Sequence, residues 1–111
     1  MGLDNYWRDG EEVGTIKGEF AVCGGICSGN GSDSFRGKVY SSIVEAVTGT
    51  SLYEDEISNE EVLQMNESIQ ACTLAKAQEF STYGIQQEEW DDFKRMWDAH
   101  ARAGHSLTAW Y

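Results

Sequence analysis

The stretch Q-E-E-W-D-D-F-K-R-M-W-D-A-H-A-R, residues Gln87–Arg102, decides the fold of this chain of 111 residues. Its large apolar side chains recur at steps of three and four residues and so share one helical face: Trp90, Phe93, Trp97 and Ala101, with Met96 beside them. Acidic residues fill the first turn and a glycine follows the end, as is usual for a helix. The pattern predicts an amphipathic helix whose aromatic face belongs to the core; the alternative is a stacking surface for a base or a partner helix.

A helix is also predicted over residues 35–47, where apolar side chains recur every four residues. Asp33 or Ser34 can cap its start, and Gly49 follows its end as a stop. Gly37 is unfavourable inside this helix by roughly 1 kcal/mol against alanine. That cost indicates either a later start or a group that approaches the glycine backbone closely.

The third predicted helix begins near Ser58, which has capping-box spacing to Glu61, and continues to about residue 80 before Tyr83 and Gly84. In the connector that precedes it, Leu52 and Tyr53 are expected to be tucked in.

Short strands are predicted at residues 13–16 and 19–23, and the tail at 105–111 can form a last strand. Residues 1–12 are interpreted as polar and turn-like. Because no repeat or linker is visible, we expect a single domain over residues 1–111. The predicted class is α+β, with a small N-terminal antiparallel sheet, which the C-terminal strand can join, and three helices.

The composition is strongly acidic, with a net charge of −11, and residues 54–67 contain six acids and no cation. Such a charge repels nucleic acid and anionic membranes, whereas it can attract a basic protein. No apolar run approaches the roughly 18 residues of a membrane span, and the start does not resemble a signal peptide. Three cysteines without such a signal are typical of free thiols, so we expect a cytoplasmic protein without membrane association.

A glycine-dense stretch, C-G-G-I-C-S-G-N-G-S-D-S-F-R-G-K at residues 23–38, precedes the helix predicted at 35–47. A flexible loop that leads into a helix start offers backbone N–H groups to an anion. The register departs from that of a nucleotide-hydrolase phosphate loop, because Val39 stands where a hydroxyl should hold magnesium. The alternative is an ordinary loop whose cations pair with nearby acids. The predicted ligand-binding residues are Gly29, Asn30, Gly31, Ser32, Ser34, Phe35, Arg36 and Lys38, with Trp7 and Trp110 as aromatic faces for a base.

The spacing of the cysteines and histidines disfavours a zinc site. Cys23 and Cys27 have the spacing of a metal hook, but zinc needs two further ligands. Cys72 is isolated in sequence, and His100 and His105 are five residues apart, a spacing that does not place them on one helical face. We therefore expect no metal and no cofactor.

Catalysis is also disfavoured. A catalytic site could combine a thiol nucleophile at Cys27 with His100 or His105 as the base and Asp98 to orient the imidazole. No spacing in the sequence supports this combination. The carboxylates at residues 88–89 and 91–92 suit the positive end of a helix, which needs no active site. The sequence favours a protein that is not an enzyme.

The opening M-G-L-D-N-Y, residues 1–6, resembles the start of short uncharacterised proteins of phages and bacteria, and S-F-R-G-K-V-Y at residues 34–40 has the character of a family signature. The resemblance implies a small cytosolic accessory protein of a phage or bacterial setting, and phage proteins of this size and acidity are often inhibitors of host defence. Two functions are compatible with it. The first is a non-enzymatic homo-oligomer that sequesters an anionic, nucleotide-type signalling ligand. The alternative is an acidic inhibitor that mimics nucleic-acid charge and docks on a basic host protein through residues 54–67.

Overall fold

The computed structural model describes residues 3–14, 16, 20 and 34–110. Within these residues the chain forms an antiparallel five-stranded sheet and four helices, which confirms the predicted α+β class with one helix more than expected. The elements in chain order are β1 (Asp4–Asp9), β2 (Glu12–Val13), β3 (Ser34–Phe35), α1 (Gly37–Thr48), β4 (Glu56–Ile57), α2 (Asn59–Ala71), α3 (Leu74–Phe80), α4 (Gln87–Arg102) and β5 (Ser106–Trp110).

Strand β1 lies at the centre of the sheet, whose order is β2-β1-β5-β4, and β3 also pairs with β1. The interpretation of residues 1–12 as turn-like is therefore wrong. Side chains alternate along β1, so that Asn5 and Trp7 are buried while Asp4 and Tyr6 are half-buried on the other face. The polar residues of β1 conceal this alternation in the sequence.

The predicted C-terminal strand is confirmed as β5. It pairs with β1 over five residues on one side and with β4 on the other. Of the strand predicted at residues 13–16, Val13 belongs to β2 (Glu12–Val13), whereas Gly14 and Ile16 lie outside any strand and residue 15 lies outside the described residues. The strand predicted at 19–23 lies outside the described residues except for Phe20.

Helix α1 begins at Gly37, two residues later than predicted, because Ser34 and Phe35 belong to β3. Arg36 occupies the N-cap position without a side-chain cap bond, so the predicted cap by Ser34 is wrong; the other candidate, Asp33, lies outside the described residues. At the other end, the predicted helix stop is confirmed by a left-handed residue, Gly49, with φ of 80°.

The glycine at the start of α1 has a structural reason. A Cβ at Gly37 would collide with the side-chain amide of Asn5 and would lie 2.8 Å from Cδ2 of Leu3. The missing side chain therefore lets the helix start pack directly on β1, which is the close approach that the sequence indicated.

The helix predicted to run to residue 80 is broken into α2 and α3. Ser58 caps α2 as predicted, by accepting a hydrogen bond from the Glu61 amide. The break lies at Cys72, which is extended, and Thr73 caps α3 by accepting from the Lys76 amide at 3.2 Å. A threonine hydroxyl that satisfies a free helical N–H favours a new helix start here, and no proline or glycine marks the position.

Helix α4 has the bounds that its periodicity predicts, and all five side chains of its predicted face are buried. The ring centroids of Phe93 and Phe35 lie 5.4 Å apart, and those of Trp97 and Trp7 lie 5.1 Å apart in an edge-on contact. The indole of Trp97 donates a hydrogen bond to the Val62 carbonyl at 3.0 Å, so its polar atom is satisfied inside the core. The core therefore lies between α4 and the inner face of the sheet.

No helix in the part of the chain that the structure describes is both long enough and apolar enough to cross a membrane.

Candidate functional site

Most of the predicted ligand-binding residues are either buried in the fold or lie outside the described residues. Gly29, Asn30, Gly31 and Ser32 belong to the second group, so their part in anion binding stays a prediction. The metal hook and the thiol nucleophile proposed for residues 23 and 27 also fall outside the described residues.

The structure places Trp7 and Phe35 in the core rather than at a ligand. The Trp7 side chain is fully buried because it points to the inner face of β1, and Phe35 is 1 % exposed. The Phe35 ring packs edge-on against Tyr40 and Phe93. Ser34 is buried as well. Neither aromatic ring can stack on a base in this conformation, which corrects the prediction for both.

Arg36, Lys38 and Trp110 are exposed, as a binding role requires. The Nε atom of Arg36 lies 3.8 Å from a carboxylate oxygen of Asp4. Asp4 is also the partner of Trp110 in the pairing of β1 with β5. The guanidinium and the indole therefore lie at the same end of the sheet with a carboxylate between them, and an anion placed there would meet that negative charge.

A cavity among the described residues lies beside β4 and is acidic. It is a shallow depression of about 370 Å³, lined by Ser51, Tyr53, Glu54 and Asp55. The prediction for the connector is right for Leu52, which is fully buried, and wrong for Tyr53, which is 45 % exposed. Carboxylates and an aromatic face are groups that attract a cation, whereas they repel a phosphate.

Trp110 belongs to the same region as this depression. The amide of Ala109 donates to the Asp55 carbonyl at 3.2 Å, and Glu56 pairs with Thr108. Side chains two residues apart on a strand share a face, so Trp110 is the diagonal neighbour of Glu56, at roughly 7–8 Å between the two residues. We call Tyr53, Glu54, Asp55, Glu56 and Trp110 the acidic aromatic surface.

Several carboxylates of the acidic run at residues 54–67 have no described cation as a partner. Among the described residues, no cation forms an ion pair with Glu54, Glu56, Glu60 or Glu67. Three of the described ion pairs lie within single helices, as for Arg102 with Asp98, whereas that of Arg36 with Asp4 lies at the Trp110 end of the sheet. The field of these four carboxylates therefore adds to that of the whole acidic chain.

Comparisons with protein-family models, with curated proteins and with solved structures give no match. The function must therefore be argued from the geometry of this chain, and the resemblance of residues 1–6 and 34–40 to phage and bacterial proteins stays an expectation.

The contact between His100 and His105 was not predicted from the sequence. His100 and His105 meet inside the protein, with their Nδ1 atoms 2.7 Å apart, although their spacing predicted separation. The chain turns back at Gly104, whose φ of 84° closes the end of α4 and brings the second ring against the first. Burial, followed by the neighbouring imidazole of His105, lowers the pKa of His100 to about 3.

The next question is whether the described residues form a metal site or an activated nucleophile. Within the described residues no group of three histidine, cysteine, aspartate or glutamate side chains is placed to hold a metal ion. Asp98 does not orient an imidazole, because it accepts hydrogen bonds from Asn66 and Arg102, which lower its pKa. Burial raises the pKa of the Cys72 thiol, which is the opposite of activation.

The carboxylates at the start of α4 also have structural partners. The Tyr40 hydroxyl donates to Glu89 at 2.6 Å, which ties the first turn of α4 to α1. Glu88 and Glu89 occupy the first turn, where negative charge stabilises the helix dipole, as the sequence indicated.

Proposed function

We propose that this chain is a non-enzymatic binding protein that docks on a basic protein through the acidic aromatic surface. The observation that supports this function is the acidic depression beside β4, whose lining includes Tyr53, together with the 73 % exposed Trp110 on the neighbouring strand β5. Exposed tryptophan and tyrosine rings are typical of binding hot spots, and they attract arginine and lysine through their faces. The surface thus combines charge for steering with apolar area for affinity.

The charge distribution favours this function over capture of a nucleotide-type anion. Of the described residues in the predicted anion site, Trp7 and Phe35 are buried in the core and Arg36 lies beside Asp4. A basic partner would instead be attracted from a distance by the net charge of −11, with association that weakens as salt rises. Two copies of this chain would bring like carboxylates together at β4, which disfavours self-association through this surface.

The partner class follows from the chemistry of the surface. A protein surface rich in arginine and lysine, of the kind that holds nucleic-acid phosphates, is complementary to it. In the phage setting that the resemblance implies, the chain would occupy such a surface on a host protein in the cytoplasm and so compete with nucleic acid. Duplex DNA should then displace the chain from its partner.

The test uses charge reversal at the surface. Wild-type protein and the double variant Glu54→Lys/Glu56→Lys are immobilised and exposed to a nuclease-treated bacterial lysate, and retained proteins are identified by mass spectrometry. We expect the wild type to retain a basic protein that is released by duplex DNA or by raising the salt concentration. The double variant should lose it.

A matched control separates local recognition from overall charge. Glu45→Lys/Glu88→Lys changes the net charge equally at exposed positions on α1 and α4, and should retain the same partner. Loss of the partner with both double variants would show that only net charge matters. A partner whose retention is unchanged by salt, by duplex DNA and by both double variants would refute the proposed function.

A further inference from the structure

Two histidines are in hydrogen-bond contact in the described interior. His100 is fully buried in the last turns of α4, and His105, just before β5, is 6 % exposed. Their Nδ1 atoms are 2.7 Å apart, which is a short hydrogen-bond distance. The pair therefore lies where α4 turns into β5.

The pair is held between two segments of the chain. The His100 ring stacks on the Trp7 indole at 4.5 Å between centroids and 4° between planes. On the other side, a Cβ at Gly14 would lie 2.8 Å from Nδ1 of His105, so the imidazole lies against glycine backbone. The Asn59 side chain donates to the His105 carbonyl at 2.9 Å and to that of Ala101. Both imidazoles are thus fixed against β1 and the end of β2.

A contact between two Nδ1 atoms can hold only one proton. One neutral imidazole donates its Nδ1–H, and the other accepts with a bare Nδ1. A second proton would place two N–H groups face to face and would also put two positive charges side by side in a buried site. The closed arrangement is therefore compatible with at most one cationic ring.

Three of the described groups that hold the pair are uncharged. They are Trp7 from β1, Gly14 after β2 and Asn59 from α2. The charged groups nearest in sequence on the same helix are Asp98 and Arg102, which bond to each other at 2.9 Å. None of these contacts favours a second proton on the pair.

We propose that His100 and His105 form a proton-sensitive joint that holds the junction of α4 and β5 against Trp7 and Gly14, and that opens locally when both rings are protonated. This joint is independent of what the protein binds. Two backbone hydrogen bonds report on it: Gly14 N–H to the Trp7 carbonyl at 2.9 Å, and His105 N–H to the His100 carbonyl at 3.1 Å.

The test is amide hydrogen exchange by NMR on the wild-type chain between pH 7 and pH 4.5, expressed as protection factors so that the intrinsic pH effect cancels. We expect protection at Gly14 and His105 to begin to fall below about pH 6.5 and to approach a tenfold fall for each pH unit toward pH 4.5, since one extra proton enters on opening. The amide of Ala77 in α3, which bonds to the Thr73 carbonyl at 2.9 Å, is the internal reference and should stay more strongly protected than Gly14 and His105 at every pH, because local opening needs less free energy than unfolding of the whole protein.

The variant His100→Phe keeps a ring against Trp7 and removes one proton site, so the pH slope at Gly14 should disappear. If this variant does not fold, long-range ¹H–¹⁵N spectra of the wild-type protein test the proposal instead, because they report the protonation state of each imidazole. We expect that the two rings are not both cationic at any pH at which Gly14 is still protected. Rings that both become cationic near pH 6.5 with unchanged protection would overturn the proposal. Equal protection factors at Ala77 and Gly14 over the whole pH range would also overturn it, because both amides would then exchange through unfolding of the whole protein.

Discussion

Replacing Gly37 by alanine should destabilise the protein, although glycine is a poor helix former. At an ordinary helical position this exchange gains about 1 kcal/mol. At Gly37 the new Cβ would collide with the amide of Asn5 and lie 2.8 Å from Cδ2 of Leu3. The sign of the effect therefore depends on whether the packing of α1 on β1 is as close as the structure has it.

The magnitude follows from two costs and one gain. Overpacking of a buried contact costs about 1–3 kcal/mol. If Asn5 moves aside, its hydrogen bond to the Leu52 carbonyl, 3.0 Å long and buried, is lost, and an unsatisfied buried carbonyl costs about 1–3 kcal/mol. Subtracting the helical gain of about 1 kcal/mol leaves a net loss of about 1–5 kcal/mol in the free energy of unfolding.

Urea unfolding followed by tryptophan fluorescence measures this change. Ala46→Gly, at an exposed position in α1, is the control and should lose about 1 kcal/mol through helix propensity alone. In the double variant Asn5→Ala/Gly37→Ala, removing the amide relieves the main collision, so the two substitutions should not add. A Gly37→Ala protein at least as stable as the wild type would refute the close packing of α1 on β1.

Three further predictions concern stability. Because His100 is neutral in the folded protein and its pKa is lowered to about 3, folding should weaken as pH falls below about 6.5, by at most about 2 kcal/mol between pH 7 and pH 5. Urea unfolding at both pH values should show this slope, and His100→Gln should lack it; an unchanged slope in the variant would contradict the assignment. Thr73→Ala removes the cap of α3 and should cost about 1 kcal/mol, with helix loss visible by circular dichroism, whereas Thr82→Ala, at an exposed position outside any helix, should change nothing. Trp90→Phe leaves the Cys72 carbonyl with only Lys94 as a donor and should cost about 1–3 kcal/mol in thermal or urea unfolding; a neutral effect would show that this hydrogen bond does not hold the break between α2 and α3.

Long periodic patterns were predictable from the sequence. Helix α4 has the bounds that its aromatic spacing indicates, because a 16-residue amphipathic stripe can be buried in only one way. Gly49 was predicted to end α1 because it has no side chain and can adopt a left-handed conformation, and Ser58 was predicted to cap α2 because its hydroxyl reaches a nearby backbone amide. Local chemistry of this kind does not depend on the rest of the fold.

Features that depend on distant partners were not predictable. Strand β1 was missed because the inward side of its alternation includes a polar residue, Asn5, whose burial depends on the Leu52 carbonyl far along the chain. At the break between α2 and α3, the Cys72 carbonyl accepts a hydrogen bond from the indole of Trp90, 18 residues away. Short strands and helix breaks of this type are set by tertiary contacts rather than by propensity.

The candidate site was predictable only in part. The acidic run at residues 54–67 identified the charge, and Trp110 was singled out as an aromatic that could face a ligand. The sequence could not show that Trp7, from the other end of the chain, is buried while Trp110 is exposed beside Glu56. Trp110 lies near Glu56 because β5 pairs with β4 in one particular register. That register is fixed only in the folded sheet, so the sequence does not reveal it.

The most direct test of the proposed function is an NMR titration of the ¹⁵N-labelled chain with an arginine-rich peptide at low salt, observed at the indole of Trp110. We predict that the Trp110 signal and the amides of Glu54 and Glu56 shift first, that the shifts vanish in Glu54→Lys/Glu56→Lys, and that they persist in Glu45→Lys/Glu88→Lys. Shifts spread evenly over the acidic residues of all helices, with Trp110 unaffected, would contradict a binding role for the acidic aromatic surface.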